Sequence, residues 1–355
     1  MHLFAPYTLR GVTFKNRIAV SPMCQYSCDD GLANDWHFVH LGSRAVGGAA
    51  IVFTEATAVE AIGRISPEDL GIWDDRHIEP LARAARFIRE HGAVPGIQLA
   101  HAGRKGSTYR PWDVRRGAVP PSAGGWEPVA PSAIAFNESY AVPRPLDAAG
   151  IARVVAAYAA AATRALAAGF EVIEVHGAHG YLFHEFLSPV SNRRTDEYGG
   201  SLDNRSRLLV DALRAVRAVW PERLPLFLRL SATDWLPDGW TVDECVELAR
   251  RLLGLGVDLL DVSSGGTALG AEIPVGPGYQ TGFAERIRRE AKIPTGTVGN
   301  ITSPAQADHV IRTGQADLVF LARAMLRNPY WPLAAAAELG VDAPWPDQYL
   351  RAKSR

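Results

Sequence analysis

A chain of 355 residues that is 47% hydrophobic, 21% charged and 9% aromatic has the apolar surface for a substantial core, which excludes a disordered or fibrous protein. Lys and Arg number 37 against 38 Asp and Glu, so the formal net charge is −1 and neither nucleic acid nor an acidic membrane surface is indicated as a partner. Three cysteines, Cys24, Cys28 and Cys245, cannot form a disulfide framework or a CxxC metal or iron–sulfur site, and they fit a reducing cytoplasm.

The opening MHLFAPYTLRG lacks a basic start followed by an apolar core. The most apolar long stretch, 151–168, is broken by Arg153 and Arg164, so neither secretion nor a membrane span is expected. Eight short runs rich in Val, Ile and Leu then recur, each predicting a strand followed by a loop and a helical segment. The first, Ile18 to Val20, leads into Ser21, Pro22, Met23, Cys24 and Tyr26. Ala50 to Phe53 is followed by Glu55 and Ala56, and Val94 to Gln98 ends in Gln98 itself, with His101 just beyond. Next comes an irregular stretch, 104–145, with seven prolines, expected to be a lid or capping insertion.

The fourth run, Val172 to Val175, opens onto His176, His179 and Tyr181. The fifth, Leu226 to Leu230, carries Arg229 near its end. The sixth, Leu259 to Val262, leads to Ser263, Ser264, Gly265 and Gly266; the seventh, Thr295 to Val298, to Gly299; and the eighth, Leu318 to Leu321, to Ala322 and Arg323. Helical period shows between the runs, as at Leu81, Ala84, Ala85 and Ile88, or at Leu208, Leu209, Leu213 and Val216. Eight alternating units predict a (β/α)₈ barrel, an α/β fold in a single domain over 1–355. An open doubly wound sheet is disfavoured because SPMCQYS stands where its GxGxxG fingerprint belongs.

In such a barrel chemistry sits at the carboxyl ends of the strands. Glycine-rich turns after strands six and seven, with Arg323, predict a phosphate cup, although turn chemistry alone also explains the glycines. Arg229 ends an apolar strand, where an unpaired cation is costly; it requires a bound anion or a carboxylate such as Asp234. His176 and His179 can ligate a metal or donate two hydrogen bonds to one oxygen, with Tyr181 as a nearby proton donor. Further metal ligands at suitable spacing are not evident, so no metal is expected. Cys24 lies in a polar loop, as a functional or a packed thiol; Cys245 reads as core, and Cys28 has no evident role.

At these residues the chain resembles the old yellow enzyme family of FMN-dependent ene-reductases, and within it the bacterial thermophilic-like subclass. The likeness is carried by LFAPYTLRGVTFKNRIAVSPMCQYS, GIQLAHAGRK, WEPVAPSAIAF, IEVHGAHGYLFHEFLSPVSNRRTDEYGGSLDNR, the LRLS strand and QYLR. The resemblance implies non-covalent FMN reduced by NADPH or NADH, and enones and related activated alkenes as substrates. It also implies that Ser21, Pro22, Met23 and Ala56 line the flavin, that Gln98 bonds its pyrimidine, and that Arg229 lies by the N1 and O2 edge. Cys24 then tunes the reduction potential, Tyr26 lines the substrate pocket, His176 and His179 grip the substrate carbonyl, and Tyr181 protonates the α-carbon. Gly299, Ala322 and Arg323 fall at the phosphate, with Ala322 where the family often has glycine. Arg351, in a tail 341–355 at a subunit interface, reaches the neighbour's active site in a homodimer or homotetramer; here AKSR replaces the common aromatic ending.

Three rivals remain. The related iron–sulfur dienoyl-CoA reductases need more cysteines than this chain has. A metal-dependent barrel hydrolase would use His176 and His179 as ligands, and a flavin-binding sensor or storage protein would keep the site without turnover.

Overall fold

The structure is a computed structural model that describes residues 2–353. All eight predicted strands form, and they close into one parallel barrel. They are β1 (Ile18–Val20), β2 (Ile51–Ala58), β3 (Val94–Ala100), β4 (Val172–Gly177), β5 (Leu226–Ser231), β6 (Leu259–Ser263), β7 (Thr295–Thr297) and β8 (Leu318–Leu321). Each pairs with the next, and β8 returns to β1 with Val319 opposite Ile18 and Leu321 opposite Val20. Both β2 and β4 outrun their apolar stretches, so Glu55, Ala56 and His176 are strand residues; the ladder needs backbone groups, not apolar side chains. In β2 the register against β3 shifts between Phe53 and Ala56, a bulge at the rim of the kind that re-aims side chains.

The helices around the barrel are α1 (Asp35–Val46), α2 (Ile78–Glu90), α3 (Ala148–Ala167), α4 (Leu182–Leu187), α5 (Leu202–Val219), α6 (Val242–Leu252), α7 (Thr281–Ala291) and α8 (Pro304–Arg312). After β8 come α9 (Arg323–Arg327) and α10 (Trp331–Glu338). As the period predicts, α2 buries Leu81, Ala84, Ala85 and Ile88, and α5 buries Leu208, Leu209, Leu213 and Val216. Cys245 is buried on α6, as expected for a core residue. No helix among the described residues is long and apolar enough to cross a membrane.

The lower barrel is filled by aromatic rings from three non-adjacent strands. Phe53 of β2 stacks on Phe320 of β8 at 5.9 Å and tilts against Phe227 of β5 at 6.1 Å. Two inward glycines make the room: a Cβ on Gly96 would lie 2.6 Å from the Phe53 ring, and one on Gly296 2.3 Å from that of Phe320. A hairpin, Tyr7–Leu9 with Val12–Phe14, caps this end, and its buried Phe14 meets Phe227 edge-on at 6.3 Å.

The 104–145 stretch is irregular, as expected, with only short turns and a two-residue pairing of Val129–Ala130 with Arg144–Pro145. Arg104 fastens it through Ile134 O and Thr267 O, and Trp112 rests edge-on against Tyr26 with ring centres 5.6 Å apart. Beyond α10 the chain forms a short helical turn, Asp347–Ala352, with Arg351 exposed; Ser354 and Arg355 of the AKSR ending lie outside the described residues. A cleft of about 600 Å³ between α10 and this segment holds none of the expected site residues.

Candidate active site

Above the aromatic rings lies a layer of buried polar groups, one from each of four consecutive strands. Gln98 donates from Nε2 to Glu174 Oε1 at 2.7 Å, and Arg229 Nε lies 3.2 Å from Asp261 Oδ2. That ion pair is close but not aligned as a hydrogen bond, since Asp261 keeps both oxygens without a hydrogen-bond donor. Register explains the pairing, because Asp261 and His176 both stand opposite Arg229 on its neighbouring strands. Burial raises the pKa of Glu174 and of Asp261, and Arg229 works against the rise in both. The carboxylate partner of Arg229 is thus Asp261, not Asp234. Asp234 instead pairs with His184 at 2.9 Å and accepts from Ser188, Thr267 and the Trp240 amide.

The first-strand loop lies at the mouth. Ser21 Oγ accepts from Arg229 Nη1 at 3.0 Å, and Pro22, Met23, Cys24 and Tyr26 follow, half-buried. Tyr26 has a φ of 47°, unusual for a non-glycine residue. The bend is held from below, where Glu55 Oε2 accepts the Gln25 amide at 2.8 Å. Burial raises the Cys24 thiol pKa, with Asp69 and Glu55 adding to it, so the group is a neutral thiol. Cys28 is separate: it is buried with Sγ 3.3 Å from His37 Nε2.

Strand β4 delivers the His and Tyr cluster. His176 meets His179 at 5.2 Å and Tyr181 at 5.1 Å between ring centres, both edge-on. His176 Nδ1 is buried without a partner, whereas His179 Nε2 is bonded to Ser263 Oγ at 2.7 Å. His179 has a φ of 60° and is pinned on both sides: its amide donates to Ser231 Oγ at 3.0 Å, and its carbonyl accepts from Lys105 Nζ at 2.8 Å. Burial depresses both imidazole pKa values, with Arg229 next in effect, so both rings are neutral. Burial likewise raises the Tyr181 pKa, leaving a protonated phenol. Among the described residues no group of three or more His, Cys, Asp or Glu could hold a metal.

Beside this cluster a cavity of about 270 Å³ runs from Arg229 and Ser263 past Gly299 and Asn300 to Ala322 and Arg323. Gly299 has a φ of 126°, and a Cβ there would lie 2.9 Å from the Tyr279 ring. Ala322 has a φ of −101°, so the family glycine is not required for this backbone. Arg323 is exposed and donates to the neutral Asn300 Oδ1 at 2.6 Å. A guanidinium with a neutral partner, at the rim of a cavity with a second cation at its inner end, suits a phosphate-bearing cofactor. The residues fit the expected FMN.

Ser21, Ala56, Gln98, Arg229, His176, His179 and Tyr181 are therefore brought to one mouth, whereas Arg351 stands on the exposed tail. Reading the sequence missed Glu174, Asp261, Lys105 and Asp69. For the first two a signal existed, a carboxylate inside an apolar run in VIEVH and LLDVS.

The model of the NADH:flavin oxidoreductase / NADH oxidase family matches residues 2–341. An NADPH dehydrogenase from Geobacillus sp. (strain WCH70) is 54% identical over 351 residues, 98% of each chain. Among solved structures, morphinone reductase aligns with a TM-score of 0.80 and 27% identity over 98% of this chain and 91% of its own. A 2-naphthoyl-CoA reductase aligns with a TM-score of 0.86 and 27% identity over 96% of this chain, which spans about half (52%) of that longer protein.

Proposed function

Because the chain belongs to the NADH:flavin oxidoreductase / NADH oxidase family, that of the old yellow enzymes, and is an NAD(P)H-dependent flavin oxidoreductase, we propose that it is an ene-reductase acting on α,β-unsaturated carbonyl compounds. Non-covalent FMN is held by Ser21, Pro22, Met23, Ala56, Gln98 and Arg229 at its ring, and by Gly299, Ala322 and Arg323 at its phosphate. When bound, FMN would supply the redox chemistry, hydride transfer between NADPH or NADH and the β-carbon.

The protein supplies orientation and charge. His176 and His179 hold the substrate carbonyl oxygen and stabilise the enolate-like charge that builds there. With Nε2 of His179 engaged by Ser263, its Nδ1 is the nitrogen left to point at substrate. Tyr181 then protonates the α-carbon. Tyr26, held by Gln25 and Glu55 and flanked by Trp112, walls the pocket, so the 104–145 stretch acts as its lid; Cys24 tunes the flavin's reduction potential. We also place the protein in the cytoplasm, as a homodimer or homotetramer in which Arg351 completes the adjacent subunit's site.

The observation that carries this reading is the meeting of two imidazoles and one phenol, with the His179 and Tyr181 rings centred 5.2 and 5.1 Å from that of His176, beside an arginine-ended cavity. Its test is the visible spectrum of the purified protein: a yellow colour, FMN released on denaturation, bleaching by NADPH without oxygen, and colour restored by 2-cyclohexen-1-one. A colourless protein that fails to take up added FMN overturns it.

His176→Ala separates the two ligand sites. The variant should retain FMN but bind phenols and enones about 10-fold or more weakly, as expected on losing a hydrogen bond of roughly 1.5–3 kcal/mol to a charged oxygen. Titration of the flavin spectrum with a phenol reads this directly; loss of FMN instead would assign His176 to the cofactor.

A further inference from the structure

Next to His176 and Tyr181 is a second, much smaller cavity of about 10 Å³, which they line with Asp69, His101, Ala56 and Ile65. That is room for one water. Asp69 is 2% exposed, and its two oxygens differ. Oδ2 accepts the Ile65 amide at 2.6 Å, while Oδ1 is buried without any partner. A buried carboxylate with a free oxygen is costly, whereas the neutral acid has an O–H to give. Burial, reinforced by the charge of Glu55, raises the Asp69 pKa well above the ordinary carboxylate value.

None of the other lining groups offers so acidic a proton. His101 accepts the Gly103 amide on Nδ1 at 3.1 Å, so its proton is on Nε2, which lies 3.4 Å from Glu60 Oε2 without making a hydrogen bond; a neutral imidazole N–H is a far weaker acid than a carboxylic acid. His176 is a neutral ring facing substrate. Tyr181, on the reading above, is the group that loses a proton, and its phenolate would be left in the surroundings that disfavour it.

We infer that Asp69 is the proton source behind Tyr181, delivering through a single water in the cavity they share. The inference rests on the assignment of Tyr181 as the donor. As the α-carbon takes the phenolic proton, the water gives one proton to the phenolic oxygen and takes one from Asp69. The α-carbon–H bond forms, one O–H bond breaks at each relay position as the next forms, and no electrons change hands in the relay. The resulting Asp69 carboxylate recovers its proton from solvent after product leaves. Because a free phenolate is disfavoured here, the transfers run together.

The test uses the FMN-loaded enzyme and 2-cyclohexen-1-one. Asp69→Asn keeps the size and an oxygen for the Ile65 amide but has no carboxyl proton to release. FMN content and reduction by NADPH should be unchanged, and the enone half-reaction should slow by about 10²-fold, the low end of a positioned acid's contribution. In mixtures of H₂O and D₂O the wild-type rate should follow a bowed curve, with more than one proton in flight, and the variant a straight line. A variant with wild-type rate and a bowed curve overturns the relay. Should the variant fail to fold, a straight line for wild type does the same. If Tyr181→Phe is also without effect, the assignment of Tyr181 as donor fails and the relay with it; if only Asp69→Asn is silent, the relay alone fails; and if the enone does not reoxidise the wild-type flavin, the ene-reductase reading itself fails.

Discussion

Replacing Tyr181 by Phe is expected to slow reoxidation by a cyclic enone about 10²- to 10⁴-fold, the usual contribution of a positioned general acid. The substitution keeps the ring that meets His176 edge-on at 5.1 Å, so the mouth should hold its shape while losing one hydroxyl. Reduction by NADPH makes no use of that hydroxyl and should stay near wild type. Reoxidation by oxygen protonates no α-carbon and should also be spared. Stopped-flow traces of the half-reactions distinguish the outcomes: equal slowing of both means a damaged site, and an unslowed enone step removes Tyr181 from the mechanism.

The second large effect is on stability. Arg229 is 6% exposed beside Asp261 and Glu174, so Arg229→Leu leaves two buried carboxyls without their cation. Removing one member of a buried pair typically costs about 3–5 kcal/mol. The carboxyls can escape part of this by taking up protons, which sets the sign of the pH dependence. Burial already raises both folded-state pKa values, and losing Arg229 raises them further. A carboxyl with a folded pKa above its unfolded one is most stabilising below the unfolded value, about 4, and loses that contribution as pH rises through the folded value. The variant's deficit should therefore widen with pH. Urea unfolding of the FMN-free proteins at pH 6 and pH 8 checks this, and equal stability at both would show that Arg229 carries no such load.

The barrel was legible because each strand is a short apolar run, and the ladder needs little more than that. Arg229 stood out for the same reason, as a cation inside FLRLS. Its partner was not legible, since Asp234 is five residues away in the chain and Asp261 thirty-two. Only the lateral register of β5 on β6 sets Asp261 opposite Arg229, while the loop after β5 carries Asp234 to His184. Asp69 was invisible for another reason. It sits in SPEDLG, which has no periodicity and reads as surface, and it becomes buried because the Ile65 backbone folds over it. Lys105, in GRK, likewise reads as a solvated charge until its ammonium is found on the His179 carbonyl. Local pattern thus locates scaffold and unusual charges, and the contacts made between loops escape it.

The rings of Phe53, Phe227 and Phe320, backed by Phe14, have a consequence for traffic. They make the barrel a vessel with one opening. Nothing can leave by the far end, so on the proposed reading reductant and substrate share a single doorway, and where both need the same place at the flavin the first must depart before the second arrives. A tight grip on either visitor then delays the other, which sets an upper bound on how firmly this mouth can usefully hold whatever it reduces.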